Sequence, residues 1–278
     1  MCISAFVWQA HPLYPLLLLQ NRDEFHNRPT KPVAWWDDDH GHILGGRDEI
    51  AGGTWLACSR KGRVAFLTNV LELHTFPEAK SRGDLPVLFL NSIKSPREFA
   101  ETLVNEAHNY NGFNLILADI PSKSMVYISN RPEGDVIIQE VTPGLHVLSN
   151  AKLDSPWHKA QRLGLNFKVL LEKYGQDEIP VKEVVEKLMK DTVKADESRL
   201  PRICSSDWEM NLSSIYVDVD TPLGRYGTRS TAVLTVTAAG EVTFYENYLE
   251  NDTWKEHTEC YCIPELKNCG GFMDVHYC

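Results

Sequence analysis

Two apolar runs, CISAFVWQ at residues 2–9 and LLLLQN at 16–21, stand within the first 21 residues, with Pro12 and Pro15 between them. Each has the length and residue types of a buried strand and is far shorter than a membrane span of about 20 apolar residues. Prolines between two such runs suit a turn, so the pair reads as an antiparallel hairpin with a buried face. The second run ends abruptly on Arg22, Asp23 and Glu24.

The remaining elements come in groups. Gly52-Gly53 precedes a strand candidate, TWLACS, and Gly62 separates it from another, RVAFLTNV. Ser95-Pro96-Arg97-Glu98 forms a capping box with proline at the first helical position, and Phe99, Ala100, Leu103, Val104 and Ala107 then fall on one helical face. Strand candidates FNLILADI, SMVYIS and HVLSNA follow. Ser155-Pro156 predicts the start of a second helix, striped by Trp157, Ala160, Leu163, Phe167, Leu170 and Leu171, and a third helix carries Val181, Val184, Val185, Leu188 and Met189. The last third returns to strands: SIYVDV, TRSTAVLTVT, EVTFYENYL and a weaker DTWKEHTECY. Grouped strands and grouped helices are an α+β pattern of antiparallel sheets with helices packed on them.

No repeat or linker divides the chain, so residues 1–258 are expected to form a single domain. Residues 259–278, with Cys260, Cys262, Cys269 and Cys278, are expected to be a loosely ordered, dispensable tail. The net charge of -10 and the lack of a long basic block argue against nucleic acid as a partner. The segment from Leu13 to Leu19 contains Pro15 and has no lysine or arginine ahead of it, so neither a signal peptide nor a transmembrane segment is expected. Seven cysteines at irregular spacing do not make a secreted disulfide framework. A zinc site near His257 and His276 would need a C-x-x-C pair or its equivalent, which is absent, so no metal is expected. Oligomeric state is not legible in the sequence.

Cys2 is the residue with the most chemical potential. Removal of Met1 would leave an α-amino group, with a pKa of about 7.7–8.0, on the same residue as a thiol, so one residue could supply nucleophile and base. Arg22, Asp23 and Glu24 are either a solvated strand end or a site at the strand mouth, where an arginine favours a thiolate and a carboxylate orients the amine. Asn69 and Asn150 end apolar strands and can donate to an oxyanion or cap a turn. The segment Gly224-Arg225-Tyr226-Gly227-Thr228-Arg229-Ser230 allows close backbone approach, and Arg229 could pair with Asp23 or Glu24 or bind an anion.

These residues resemble a known family. NRDEF at 21–25 looks like the motif that names the NRDE, or Transport and Golgi organisation 2, family. MCI at 1–3, GGTWLA at 52–57, TN at 68–69, YNGFNLI at 110–116, LSNA at 148–151, PW at 156–157 and YGTRS at 226–230 follow in the family's order. The resemblance implies a four-layer αββα sandwich, the N-terminal-nucleophile hydrolase-like fold. More distantly it is similar to the choloylglycine hydrolases and penicillin V acylases, in which a processed N-terminal cysteine attacks an amide. By position, Cys2, Arg22, Asp23, Asn69, Asn150 and Arg229 would fill the catalytic roles, with Glu24, Tyr226 and Thr228 in binding roles. Arg22, Asn150 and Arg229 are then expected within about 3–6 Å of the Cys2 sulfur or nitrogen.

In those acylases the arginine and aspartate are separated by two residues; here they are adjacent, and adjacent strand residues face opposite ways. Either a bulge re-aims one of them or Glu24 acts beside Arg22. The resemblance further implies a cytoplasmic protein associated with mitochondria or Golgi and ER surfaces, acting in Golgi organisation, secretory traffic and lipid or haem homeostasis. Its ligand would be a small acyl compound or haem. An amide or thioester hydrolase needing no cofactor is one reading; a non-catalytic carrier with haem or an acyl lipid as cargo, held by Cys2 or a histidine, is the other.

Overall fold

The computed structural model describes residues 2–37 and 40–266. Its first sheet is built from β1 (Ile3–Trp8), β2 (Leu16–Phe25), β10 (Gly144–Leu148), β11 (Asp218–Thr221), β12 (Gly224–Val236), β13 (Glu241–Glu250) and β14 (Thr253–Cys262). The order is β10-β1-β2-β12-β13-β14, with β11 paired to β12. The second sheet is a meander of β3 (Thr30–Trp35), β4 (Ile43–Asp48), β5 (Leu56–Ser59), β6 (Arg63–Asn69), β7 (Phe113–Asp119), β8 (Ser124–Ser129) and β9 (Ile137–Glu140). Both sheets are antiparallel throughout.

Strand parity sorts the side chains into layers. Phe6, Trp8, Leu16 and Leu18 meet Phe66, Ile116 and Tyr127 between the sheets. On the outer face of the second sheet, Leu115 and Ile128 pack on Leu85 and Phe89 of α1 (Asp84–Asn91) and Ala100 and Leu103 of α2 (Pro96–Leu103). On the outer face of the first, Ile3, Ala5, Val7, Leu17 and Leu19 pack on Leu163, Phe167 and Leu170 of α3 (His158–Tyr174) and on Val184 of α4 (Val181–Val184). The architecture is a four-layer αββα sandwich. β2 needs four leucines in a row because both of its faces are covered; burying them contributes on the order of 6–12 kcal/mol before chain entropy is subtracted.

A buried carboxylate helps to tie the two sheets together. The β3/β4 ladder slips between Lys31 and Ala34, which frees the Val33 N–H, and it donates to Glu246 Oε2 of β13 at 2.7 Å. The Ser230 hydroxyl donates to the other carboxylate oxygen. Burial pushes the Glu246 carboxyl above its ordinary pKa, against the lowering effect of these two donors.

Several expectations need correction. The boundary drawn after residue 258 falls inside β14, whose Glu259–Cys262 portion pairs with Phe244–Glu241 of β13. Ile263 beyond it is fully buried in the inter-sheet core. Residues 267–278, with Cys269, His276 and Cys278, lie outside the described residues. α3 starts at His158, not at Ser155, because Ser155 and Trp157 are taken up in turn hydrogen bonds to Lys152 and Ser155 and Trp157 is extended. The capping box at Ser95 forms as read, with Pro96 in the first turn. β3, β4, β9 and α1 carry no pattern strong enough to read beforehand: β3 holds a proline and β4 a pair of glycines.

Candidate active site

Cys2 stands at the open end of β1. The β1/β2 register runs from Trp8↔Leu16 to Ile3↔Asn21, and one further step sets Cys2 opposite Arg22. Both share the parity of Phe6 and Leu18, so both face the second sheet. Cys2 is 8% exposed, and its thiol lies 3.9 Å from the Asp23 carbonyl oxygen. It opens on a cleft of about 470 Å³. The walls include Cys2, Arg22 and Glu24 from the first sheet, Asp48, Trp55 and Asn69 from the second, and the Lys80–Gly83 stretch.

Arg22 is nearly buried, with its guanidinium 3.5 Å from Asp48 and 4.2 Å from the centre of the Trp55 ring. Burial pulls its pKa down, opposed by the negative fields of Glu24, Cys2 and Asp48. Arg28 grips Asp48 with two nitrogens. The Asp48 carboxyl is held below its ordinary value: burial alone would raise it, but Arg28, the Ala51 N–H and Arg22 outweigh that. Glu24 sits at the cleft edge, 4.0 Å from Arg28.

Asp23 faces the other way. Its Oδ1 accepts from the Thr228 hydroxyl at 2.7 Å on the helix side of the sheet. No bulge interrupts the β1/β2 ladder; the irregularity falls in β12 between Thr228 and Ser230, at Arg229. Alternation therefore holds: Glu24, not Asp23, lies on the Arg22 side. Gly227 makes the Asp23–Thr228 contact feasible, because a Cβ there would stand 2.1 Å from the Val217 oxygen, and Val217 exchanges hydrogen bonds with Thr228.

Four expected site residues do not form the cleft wall. Asn150 is fully buried, donates its amide to the Asn69 carbonyl at 2.8 Å and sits beside the Ser149 hydroxyl at 2.8 Å. It braces the end of β6 and leaves the side chain of Asn69, which makes no hydrogen bond with another described residue, to face the cleft. Arg229 donates to the carbonyls of Phe25 and Arg28, tying down the turn after β2. Thr228 holds Asp23 from behind. Tyr226 places its hydroxyl 3.5 Å from the Asp23 carbonyl and packs on Phe25 and Trp208. Burial, then the negative charges of Asp23, Cys2 and Glu24, raise its phenol well above the ordinary value.

Sequence reasoning missed Arg28, Asp48, Trp55, Arg82 and Lys159. Gly53 explains one of them: a Cβ there would meet the Gly83 carbonyl carbon at 2.4 Å, and the Thr54 N–H donates to the Gly83 oxygen, so this glycine brings Arg82 onto the cleft. Arg82 donates to Gly112 at 3.0 Å; burial lowers its pKa, while Glu72, Cys2 and Glu24 raise it. Lys159, in the first turn of α3, is 3% exposed; burial pulls its pKa down, while Asp23 and Cys2 push it up. Among the described residues no group of three His, Cys, Asp or Glu could hold a metal ion, and no helix is long and apolar enough to cross a membrane.

The comparisons agree with this architecture. Two variants of the conjugated bile acid hydrolase of Clostridium perfringens superpose over 96% of this chain and 99% of theirs, with TM-scores of 0.53 and 0.50 at 11% and 10% identity, which establishes a shared fold. The Transport and Golgi organization 2 homolog of Mus musculus is 35% identical over 94% of this chain and 98% of its own length. The Homo sapiens homolog is 35% identical over 88% and 92%, and the Drosophila melanogaster protein 24% over 88% and 91%. The profile described as "Transport and Golgi organisation 2" matches residues 1–251. The chain belongs to the Transport and Golgi organisation 2 family.

Proposed function

We propose that this protein hydrolyses an amide or thioester of a small acyl compound, with Cys2 as an N-terminal nucleophile. The observation that carries the reading is the placement of the Cys2 thiol: one residue ahead of a strand paired on both sides, at the position that faces Arg22, and lining a cleft that also presents Asn69. A nucleophile on a central strand is held rigidly, as catalysis requires. The neighbouring fold type supports the chemistry by analogy only.

Once Met1 is removed, the Cys2 α-amine accepts the thiol proton and the sulfur attacks the substrate carbonyl carbon. The carbonyl electron pair moves to oxygen, where the Asn69 amide donates a hydrogen bond. Collapse of that oxyanion breaks the C–N or C–S bond, and the leaving group takes its proton from the α-ammonium. The acyl group is then a thioester on Cys2. Water attacks it with the α-amine as base, and a carboxylic acid leaves with the thiol restored. The notable departure from the sequence expectation is that Asn150 supports this step through Asn69.

The competing reading is a carrier that holds an acyl lipid or haem in the same cleft, with its cellular roles in Golgi organisation, secretion and lipid or haem homeostasis following from delivery. No histidine is among the cleft-wall residues, so haem carried there would take the Cys2 sulfur as its protein ligand. Cys2→Ala separates the two. Intact mass first establishes whether the chain starts at Cys2. Turnover of a panel of acyl amides and thioesters is then measured, with mass spectrometry for an acyl adduct on residue 2. Loss of turnover and adduct in the variant supports hydrolysis. Equal turnover in both, retained Met1, or ligand binding without turnover in either rejects it.

A further inference from the structure

Two arginines compete for one carboxylate on the cleft wall. Arg22 is the more deeply placed, with its side chain 5% exposed against 31% for Arg28. A guanidinium taken out of water is ordinarily retained by closing on the nearest carboxylate. The structure has the reverse arrangement. Arg28 takes Asp48 with its Nε at 2.5 Å and a terminal nitrogen at 3.1 Å, one to each carboxylate oxygen. Such a two-nitrogen grip is the strong form of the pair. Arg22 keeps a single 3.5 Å contact with Oδ2. Arg28 Nε also stands 4.0 Å from Glu24, whose other oxygen accepts from the Phe25 N–H at 2.9 Å. Arg28 therefore lies against both carboxylates on Arg22's side of the cleft.

Each partner is fixed in this arrangement from outside it. The Asp48 N–H donates to the Gly53 carbonyl at 2.9 Å, and the Asp48 carbonyl accepts from the Gly52 N–H at 2.8 Å. Its Oδ1 accepts from the N–H groups of Ile50 and Ala51 at 3.0 and 2.9 Å, so the carboxylate is aimed by its own turn. Arg28 is anchored through its main chain: its N–H donates to the Phe25 carbonyl at 3.1 Å, and its carbonyl accepts from the Arg229 guanidinium. The Arg22 guanidinium rests over the Trp55 ring at 4.2 Å. One step along the β1/β2 register sets Cys2 opposite Arg22.

We propose that Arg28 is a positioning residue: by occupying Asp48 it keeps the Arg22 guanidinium open to the sulfur across the ladder. Without Arg28, the long Arg22 side chain closes on Asp48 and its charge is spent there. Arg229 serves the same end one step further back, by holding the Arg28 carbonyl. The inference rests on the hydrolase reading for its purpose but not for its test. Arg28 acts through Arg22, not on the sulfur.

The test uses iodoacetamide, with modification of residue 2 followed by mass spectrometry at pH 7, and needs no substrate. Arg28→Met is expected to slow alkylation about three-fold, a partial loss of the attraction that one charge exerts at this range. In an Arg22→Met background the same change should move the rate by less than about 1.5-fold, because nothing remains for Arg28 to act through. Adding Asp48→Asn to Arg28→Met should return the rate to within about two-fold of the parent, since no carboxylate is left to draw Arg22 away. The asparagine oxygen still accepts from the Ile50 and Ala51 N–H groups. A turn that had merely been loosened would gain nothing from this second change. Should Arg28→Met fail to fold, Arg28→Gln removes the charge, keeps a donor for Asp48 and takes its place. Parent-like alkylation in the Arg28 variant, equal slowing with and without Arg22, or no recovery with Asp48→Asn overturns the proposal. Alkylation that depends on Arg28 through Arg22, in a protein that turns over no acyl substrate, would refute hydrolysis while leaving this inference standing.

Discussion

Arg22→Met separates the stability of the site from its chemistry. The guanidinium contributes a cation–π contact with Trp55 at 4.2 Å and a 3.5 Å contact with Asp48. Exposed to buried, such ring contacts are worth about 0.5–2 kcal/mol. Asp48 is not stranded by the change, because Arg28 still holds both of its oxygens. Removing a nearly buried charge also relieves its desolvation. The net change in stability is therefore expected to stay within about 1 kcal/mol. Reactivity should move further. Cross-strand neighbours hold their Cβ atoms about 5 Å apart, so a guanidinium and a thiolate about 6 Å apart, at an effective dielectric of about 20, attract by roughly 2.8 kcal/mol. About half of that attraction, on a logarithmic scale, is expected to reach the rate at which the sulfur attacks an electrophile, which is about ten-fold. Iodoacetamide kinetics at residue 2, alongside urea melts, measure both quantities. Alkylation at the parent rate in a folded Arg22→Met protein would refute the assignment of Arg22 as the charge opposite the thiol.

Ile263→Ala should cost about 2–4 kcal/mol in urea melts, since Ile263 is fully buried against Gly62 in the inter-sheet core; a loss under 1 kcal/mol would restore the view that the chain beyond residue 258 is dispensable. Asn150→Ala should cost about 1–3 kcal/mol by leaving the Asn69 carbonyl without its donor, and should slow acyl turnover through a displaced Asn69; a loss of turnover in Asn69→Ala no larger than in Asn150→Ala would count against that order of roles. His146 offers a pH test. Burial would lower its pKa, but the Asp154 carboxylate and the Thr142 carbonyl, at 2.7 and 2.8 Å from its two ring nitrogens, outweigh burial and raise it. Both contacts are donated only by the imidazolium, so its stabilisation is fully present below the unfolded value of about 6.5 and is lost as pH rises through the folded value. The urea midpoint of the parent should exceed that of His146→Gln most at pH 6 and least at pH 8; a constant gap would show that the ring's charge contributes nothing.

The hairpin at the start of the chain was legible because its apolar runs fit strands and its prolines fit a turn. Alternation along Arg22, Asp23 and Glu24 left two alternatives open, and it took the β2/β12 ladder, whose irregularity falls on the β12 side, to put Glu24 on the Arg22 side of the sheet. Asp48 and Trp55 were not legible as site residues: GGRDE reads as a turn, and only the packing of one sheet on the other brings these side chains to Arg22. Lys159 was hidden because it lies one residue past a helix start, where a lysine normally faces water. Asn150 and Arg229 were recognised by type and order, yet the direction of an amide or a guanidinium is set by which carbonyls lie in reach. The segment 259–263 was undervalued because an edge strand alternates exposed and half-buried residues and so shows little apolar periodicity.

The position of β1 between β10 and β2 has a practical consequence for anyone handling this protein. Its first described residue is nearly buried and lines the cleft, so an affinity handle or fluorescent fusion placed ahead of Cys2 is attached at the wall of the space a ligand would occupy. On the hydrolase reading such a fusion also blocks the α-amine of Cys2, in the manner of a zymogen. Inactivity measured on that form would then report on the attached peptide, and a cleavable handle that leaves Cys2 as the first residue would supply the free amine that the reading requires.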